Sequence, residues 1–272
     1  MQRLRVPFGS EVGRVDALDW VRTKHMRSLL SIFVWLIWLV HIFVLGPLVV
    51  LVVVVSPRRL GFQMLTAAVR SAFFFAGIRV TAPGWERIDW SVPHVFMGNH
   101  QTMLDPFAMV VAIRRHVVVV EKAELQRMPV YGWLSRAWGN IPIQREDPTQ
   151  AREGISLASE RLKEGISIGI MPEGTRSKDG TIGPFKKGGF HMAIDAGADI
   201  VPFTFNGSFE RLRRGDWRIY PGTIEIVFGE AIPTAGLGKD DLDDLMARVR
   251  GAVLASYKGP QDTADSRETA RT

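Results

Sequence analysis

At 272 residues the chain has room for one sizeable α/β domain with an appendage, and two ordinary domains are not the default. It contains no cysteine, which excludes disulfides, cysteine nucleophiles and thiolate metal sites, and fits a reducing compartment. The formal net charge of +6 suits an anionic partner, whether a phosphate-bearing substrate, an anionic membrane surface or nucleic acid. Residues 1–28 are mixed, with Arg22, Lys24 and Arg27 just before an apolar run, and read as a basic cytoplasmic juxtamembrane segment. Residues 29–55, LLSIFVWLIWLVHIFVLGPLVVLVVVV, carry no acid, lysine or arginine and exceed the ~20 residues needed to cross a hydrocarbon core. The run starts too late and is too long for a cleavable signal peptide. Arg58 and Arg59 follow it directly, so basic residues sit at both ends and give no orientation. Gly46 and Pro47 could break the run into two arms, and residues 62–75, apolar with Arg70 among them, read as an amphipathic second helix. Residues 29–76 are therefore expected to form a helical membrane anchor, spanning or re-entrant, with His41 facing another helix or the interface.

After Ile78 the pattern becomes short apolar runs punctuated by glycine and proline and interleaved with helical periodicities, as in an α/β domain. Strands are expected at 78–82, 94–97, 117–121, 167–171, 200–205 and 223–228, several of them apolar throughout, as for strands buried on both faces. Helices are expected at 106–114, 128–138, 149–163, 188–196 and 240–256. Ala151, Ile155, Ala158 and Leu162 form one core stripe, and Leu242, Leu245, Met246, Val249 and Val253 another. The predicted fold is thus α/β, a mixed and largely buried central sheet flanked by helices over residues 77–258, behind an N-terminal hydrophobic helical anchor. The polar residues 259–272 lack apolar anchors and read as a disordered tail.

The chemistry centres on residues 98–107, GNHQTMLDPF, where four residues separate His100 from Asp105. On one continuous helix that spacing would leave the two side chains ~140° apart. Asp105 followed by Pro106 instead looks like an N-cap and first helical position, which puts His100 in a loop folding back toward the helix start. A neutral imidazole can take a proton from an alcohol, and a carboxylate on its other nitrogen fixes the tautomer and stabilises the imidazolium. By spacing alone Asp105 could equally be a plain cap and His100 an incidental loop histidine. Thr102 lacks the elbow context of a nucleophile and reads as loop packing.

Taken whole, this motif resembles the active-site signature of the glycerophospholipid acyltransferases, the family of 1-acyl-sn-glycerol-3-phosphate acyltransferase. Three further blocks follow in the same order, carrying the resemblance over residues 77–229. The second, residues 139–145 (GNIPIQR), keeps the arginine of the family block, but Pro142 and Gln144 depart from its usual Phe-Ile-Asp-Arg. Arg145 offers a planar charged fork suited to phosphate, or is a surface arginine at a strand end. The third, residues 170–177 (IMPEGTRS), reads as a buried strand ending in a turn that presents Glu173, Thr175 and Arg176. There Gly174 would let backbone approach a ligand, and Thr175 and Arg176 can donate to phosphate oxygens. Glu173 is expected to bind a glycerol hydroxyl or hold an arginine. Lys186 and Lys187, in PFKKGG before a helix start, would either complete a phosphate pocket or point to solvent or anionic lipid. The fourth block, residues 200–207 (IVPFTFNG), reads as structural. Residues 209–220 (FERLRRGDWRIY) interleave basic and aromatic side chains, a membrane-interface pattern beside an anchor or else a solvated loop.

The resemblance implies an enzyme that moves a fatty acyl group from acyl-CoA or acyl carrier protein to the sn-2 hydroxyl of 1-acylglycerol 3-phosphate. His100 and Asp105 would be catalytic, and Arg145, Glu173, Gly174, Thr175, Arg176, Lys186 and Lys187 would bind the acceptor. No cofactor or metal is implied, and the partners would be the lipid bilayer, the lysophospholipid acceptor and the acyl donor rather than nucleic acid. The catalytic domain would sit on the cytoplasmic face of the cell membrane. Glycerol 3-phosphate, a lyso-ornithine lipid or another lysophospholipid as acceptor, a thioester hydrolase, and an inactive lipid-binding scaffold stay open as alternatives.

Overall fold

The computed structural model describes residues 12–113, 115–144 and 146–260, residues 12–24 and Pro148 by their backbone alone. Arg145, the first part of the basic segment and most of the expected tail lie outside the described residues. Helix α1 (Val12–Val40) passes through a π-helical turn (His41–Leu45) into α2 (Gly46–Val55) without a break. The expected division into two arms at Gly46 and Pro47 is therefore corrected. Proline lacks an amide hydrogen and its ring crowds the carbonyl one turn back. The wide turn just before it opens the hydrogen-bond ladder and lets the helix continue.

Helix α3 (Arg58–Phe75) doubles back on this long helix. Trp38 Nε1 donates to the Ala72 carbonyl at 2.9 Å, and the ring nitrogens of His41 meet Ile37 O at 2.8 Å and Ser71 Oγ at 3.1 Å. Nearer the bend, a Cβ on Gly61 would lie 2.9 Å from Val53 Cγ2, so glycine is what allows the two helices their close approach. His25–Val55 is long and apolar enough to cross a membrane and is mostly exposed, with Leu29, Phe33, Leu36, Phe43, Leu51 and Val55 on its open face.

The helix is also fixed to the rest of the protein at two levels. Trp35 Nε1 donates to Trp217 O at 2.7 Å, and a Cβ on Gly46 would lie 2.4 Å from Val130 Cγ1. These points are ~16 Å apart along the axis, so the helix between them runs beside the domain rather than away from it. Val130 holds φ of 63°, a conformation that costs a β-branched residue strain, and is buried in that contact.

The domain follows as β1 (Ile78–Thr81), β2 (Val95–Gly98), α4 (Asp105–Ala112), β3 (Val117–Lys122), α5 (Tyr131–Trp138), β4 (Ile141–Ile143), α6 (Pro148–Lys163) and β5 (Ser167–Ile170). Then come α7 (Gly188–Ala196), β6 (Ile200–Asn206), the short α8 (Ser208–Arg211), β7 (Gly222–Phe228) and α9 (Leu242–Ala255). The strands form one mixed sheet in the order β1-β7-β6-β2-β5-β3-β4, in which only the β6–β7 pairing is antiparallel. Six strands fall where the apolar runs predict them. The seventh, β4, has Pro142 at its centre, and its place at the sheet edge is where a residue without an amide hydrogen is tolerated.

Two cores sandwich the sheet. Phe96, Phe203 and Phe228 meet in the core beneath α3 and α4, with ring centroids 6.1 and 6.3 Å from Phe228. Val95, Met97, Ile168 and Ile200 face the core of α6, α7 and α9, where Ala158, Leu162, Leu245, Val249 and Val253 pack. Buried β2 ends between β5 and β6 and delivers the loop that follows it to the carboxyl ends of the parallel strands, where open α/β sheets bind ligands. Gly98 makes that exit possible, since a Cβ there would sit 2.3 Å from the Phe203 carbonyl oxygen. Gly98→Ala is expected to cost about 1–3 kcal/mol of stability by overpacking. A thermal melt beside the wild type checks this, and an unchanged melting temperature would mean the strand yields at no cost.

Candidate active site

The loop between β2 and α4 is shaped by the Asp105 carboxylate. Asp105 is the first residue of α4, not its N-cap as the sequence suggests, and its side chain turns back into the loop. Oδ2 accepts from Gln101 N at 2.6 Å, Thr102 N at 2.8 Å and His100 Nδ1 at 2.8 Å, while Oδ1 accepts from Thr102 Oγ1 at 3.3 Å. These donors, on a residue that is 0% exposed, bring together two side chains that a continuous helix would separate. With Nδ1–H directed at a carboxylate, Nε2 carries the lone pair, and the ring is 17% exposed. The geometry is that which a base and its orienter require.

The backbone of His100 is held on both sides by the third block. Its amide donates to Glu173 Oε1 at 2.8 Å, and its carbonyl accepts from Ser177 N at 2.8 Å. The other oxygen of Glu173 accepts from Gly183 N at 2.8 Å. Each oxygen of Glu173 thus meets a backbone amide, and no arginine is among the hydrogen-bond partners found for it among the described residues. It is buried, and it clamps the loop that carries His100. Burial pushes its carboxyl above the ordinary range, opposed by the amides of Gly183 and His100.

Asn99, directly before His100, mimics a strand residue, pairing its side-chain amide with both Phe205 O (3.1 Å) and Phe205 N (2.7 Å). Asn99, Thr102, Ser177 and Gly183 are all missing from the sequence-based site. Asn99 could have been suspected as a polar residue closing an apolar strand. Ser177 and Gly183 act through backbone amides, which leave no side-chain signal.

Around this centre the expected acceptor residues separate. Gly174 has φ of 69° and closes a turn through its amide to Met171 O at 3.0 Å, leaving Thr175 and Arg176 exposed. Lys186 lies against that turn, since a Cβ on Gly174 would be 3.2 Å from its Cε and Nζ. Lys187 leads away, with Nζ 2.8 Å from Asp243 of α9. Residues 209–220 are held against the long helix, with Arg214, Gly215 and Trp217 exposed. Ile219 N donates to Ser31 Oγ at 3.0 Å and Trp217 O accepts from Trp35, so the loop is docked on α1 with the Trp217 ring exposed beside it.

A cavity of about 140 Å³ opens between this loop, Trp35, Arg176 and residues 101–103. A larger groove of about 710 Å³ lies between α3, β1 and the last turn of α4, lined by Arg70, Val80, Trp85 and Glu225, and none of its lining comes from the catalytic loop.

The chain is similar to several known proteins. The family described as Acyltransferase matches residues 79–206, a span that encloses His100, Asp105 and the third block. The 1-acyl-sn-glycerol-3-phosphate acyltransferase alpha of Ovis aries is 31% identical over 186 residues, 68% of this chain and 65% of that protein. The beta form from Homo sapiens is 30% identical over 200 residues, 71% of this chain and 72% of that one. The chain thus spans just under two thirds of the sheep relative's length. In fold it is similar to the crystal structure of the 1-acyl-sn-glycerophosphate (LPA) acyltransferase PlsC from Thermotoga maritima. The TM-score is 0.73 at 23% identity, covering 85% of this chain and 94% of that one.

Proposed function

Because this chain belongs to the acyltransferase family of the 1-acyl-sn-glycerol-3-phosphate acyltransferases, we propose that it transfers a fatty acyl group from acyl-CoA or acyl carrier protein to the sn-2 hydroxyl of 1-acylglycerol 3-phosphate, giving phosphatidic acid. The observation that carries the reading is the 2.8 Å contact between His100 Nδ1 and Asp105 Oδ2, on a loop whose backbone is held from both sides. His100 Nε2 takes the hydroxyl proton as that oxygen attacks the thioester carbonyl. Asp105 stabilises the imidazolium, and collapse of the tetrahedral intermediate breaks the carbon–sulfur bond. The thiolate leaves with the proton from Nε2. No protein nucleophile is needed, because the lipid supplies its own.

The reaction joins a soluble thioester to a bilayer lipid, so the site must sit at an interface. The exposed apolar face of α1 and α2, continued by Phe74 and Phe75 at the end of α3, supplies the contact with the hydrocarbon. Since the long helix is fixed along the domain at Trp35 and Gly46, this reading is of a monotopic anchor that keeps the domain on one surface, the cytoplasmic one. The test is to offer labelled acyl-CoA to purified full-length protein with lysophosphatidic acid, glycerol 3-phosphate, a lyso-ornithine lipid or no acceptor. Label in phosphatidic acid is the expected result. Label confined to another lipid would keep the mechanism and change the substrate, and free fatty acid independent of acceptor would make the protein a hydrolase.

A further inference from the structure

The small cavity beside the loop of His100 joins residues of two shared motifs to others that no shared motif accounts for. Its walls are Trp35 of α1, residues 101–103, Arg176, and residues 212–216 of the loop docked on α1. That loop lies past residue 206, where the family match ends. The volume of about 140 Å³ is several times the ~30 Å³ share of one water, room for a phosphate monoester.

Within the lining, Gln101 is 1% exposed, and its side-chain amide makes no hydrogen bond of ordinary geometry among the described residues. The Tyr257 hydroxyl, which donates to the Gly180 carbonyl, lies beside that amide and is placed to accept from its Nε2. The second N–H of Gln101 has no acceptor among the described residues and can be offered to a ligand oxygen. The charge in the lining points the same way. Arg176, Arg213 and Arg214 bring three guanidinium groups to the cavity, while both oxygens of its single carboxylate, Asp216, meet Arg218 Nε at 3.0 and 3.2 Å. Within this lining, guanidinium groups outnumber carboxylates three to one. Arg213 is steadied 5.8 Å over the Phe209 ring, and the loop by Trp35 and Ser31.

We propose that residues 212–216 form a headgroup clasp, in which Arg213 and Arg214, with Gln101 and Arg176, take the phosphate monoester of the acceptor lipid and so set which lipids the enzyme accepts. This rests on the acceptor reading above. The acceptor rather than the thioester donor fits because one wall is Trp35, on the helix with the open apolar face, from which an amphiphile with a phosphate head would enter. Guanidinium forks bind phosphate oxygens in pairs, which makes such a clasp selective as well as attractive.

The experiment measures binding of 1-oleoylglycerol 3-phosphate and of 1-oleoylglycerol to full-length protein by calorimetry in detergent, with no donor present. The wild type is expected to prefer the phosphate-bearing lipid by ~10-fold or more, and the Arg213→Ala/Arg214→Ala double variant to reduce that preference to ~threefold or less. In turnover, the same variant should raise KM for the acceptor by ~10-fold and leave KM for acyl-CoA alone. Arg214→Glu, at the exposed rim, gives the same direction by charge reversal if the double variant fails to fold. An undiminished preference in these variants, or a loss confined to acyl-CoA, overturns the clasp. No preference in the wild type overturns the acceptor reading itself.

Discussion

Replacing His100 by alanine is expected to lower acyl transfer by ~10²–10⁴-fold while the domain stays folded. The ring is partly exposed, and the contacts that hold the loop, His100 N to Glu173 and Ser177 N to His100 O, are made by backbone atoms that alanine retains. The loss should therefore fall on kcat, with acceptor KM little changed. Asp105→Asn is the companion. An asparagine oxygen can still accept from the three N–H donors that meet Oδ2, and its NH₂ would replace Oδ1, whose donor is a Thr102 hydroxyl free to turn and accept instead. The loop should keep its shape and lose the charge that faces the imidazolium, so this variant is expected to fall by ~10²-fold or more with its melting temperature nearly unchanged. Steady-state kinetics and thermal melts on both variants decide the matter. Near-normal turnover by His100→Ala would remove the base from the mechanism.

Much of this site is legible in the residues, and the limits are physical. Apolar runs buried on both faces announce β2, β5 and β6, and the helical stripes announce α6 and α9, because burial dictates those side chains directly. Strand β4 stays hidden because its three residues are too few for a period and Pro142 argues against a strand anywhere but at an edge. In the same way Pro47 reads as a break until the π-helical turn ahead of it is seen. The pairing of His100 with Asp105 is readable since both partners are side chains with one plausible chemistry. Glu173 is different. Its motif marks it as part of the site, but its partners are the amides of residues 73 and 10 positions away along the chain, and amides are present at nearly every position. Sequence can nominate an acceptor whose donors are side chains, and it has no purchase on one whose donors are backbone.

That distinction gives Glu173→Gln a large expected effect. Both carboxylate oxygens accept from backbone N–H groups, one on His100 and one on Gly183. A glutamine has a single oxygen, and whichever way its amide turns, an NH₂ faces a peptide N–H, so one of the two clamps opens. Aspects of stability and activity then diverge. Burial raises the Glu173 pKa, so the folded state holds a proton there more tightly than the unfolded chain does. Its contribution to stability is thus fully present in acid, below the unfolded value, and is lost as pH rises through the raised folded value. Once ionised, the buried carboxylate that accepts from both amides is a cost of folding. Glutamine removes that buried charge while leaving one amide without an acceptor, opposing changes of about 1–3 kcal/mol each, so the melting temperature should move little. The activity should fall by ~10–100-fold in kcat, because loosening the His100 amide lets Nε2 drift from the hydroxyl it must reach, and a displacement of ~1 Å is enough for such a loss. Kinetics and melts measured near pH 7 on the same preparation test this, with Glu173→Ala as the variant that loses both acceptors. If Glu173→Gln turns over normally, the clamp does not govern the base, and Glu173 must act on substrate instead.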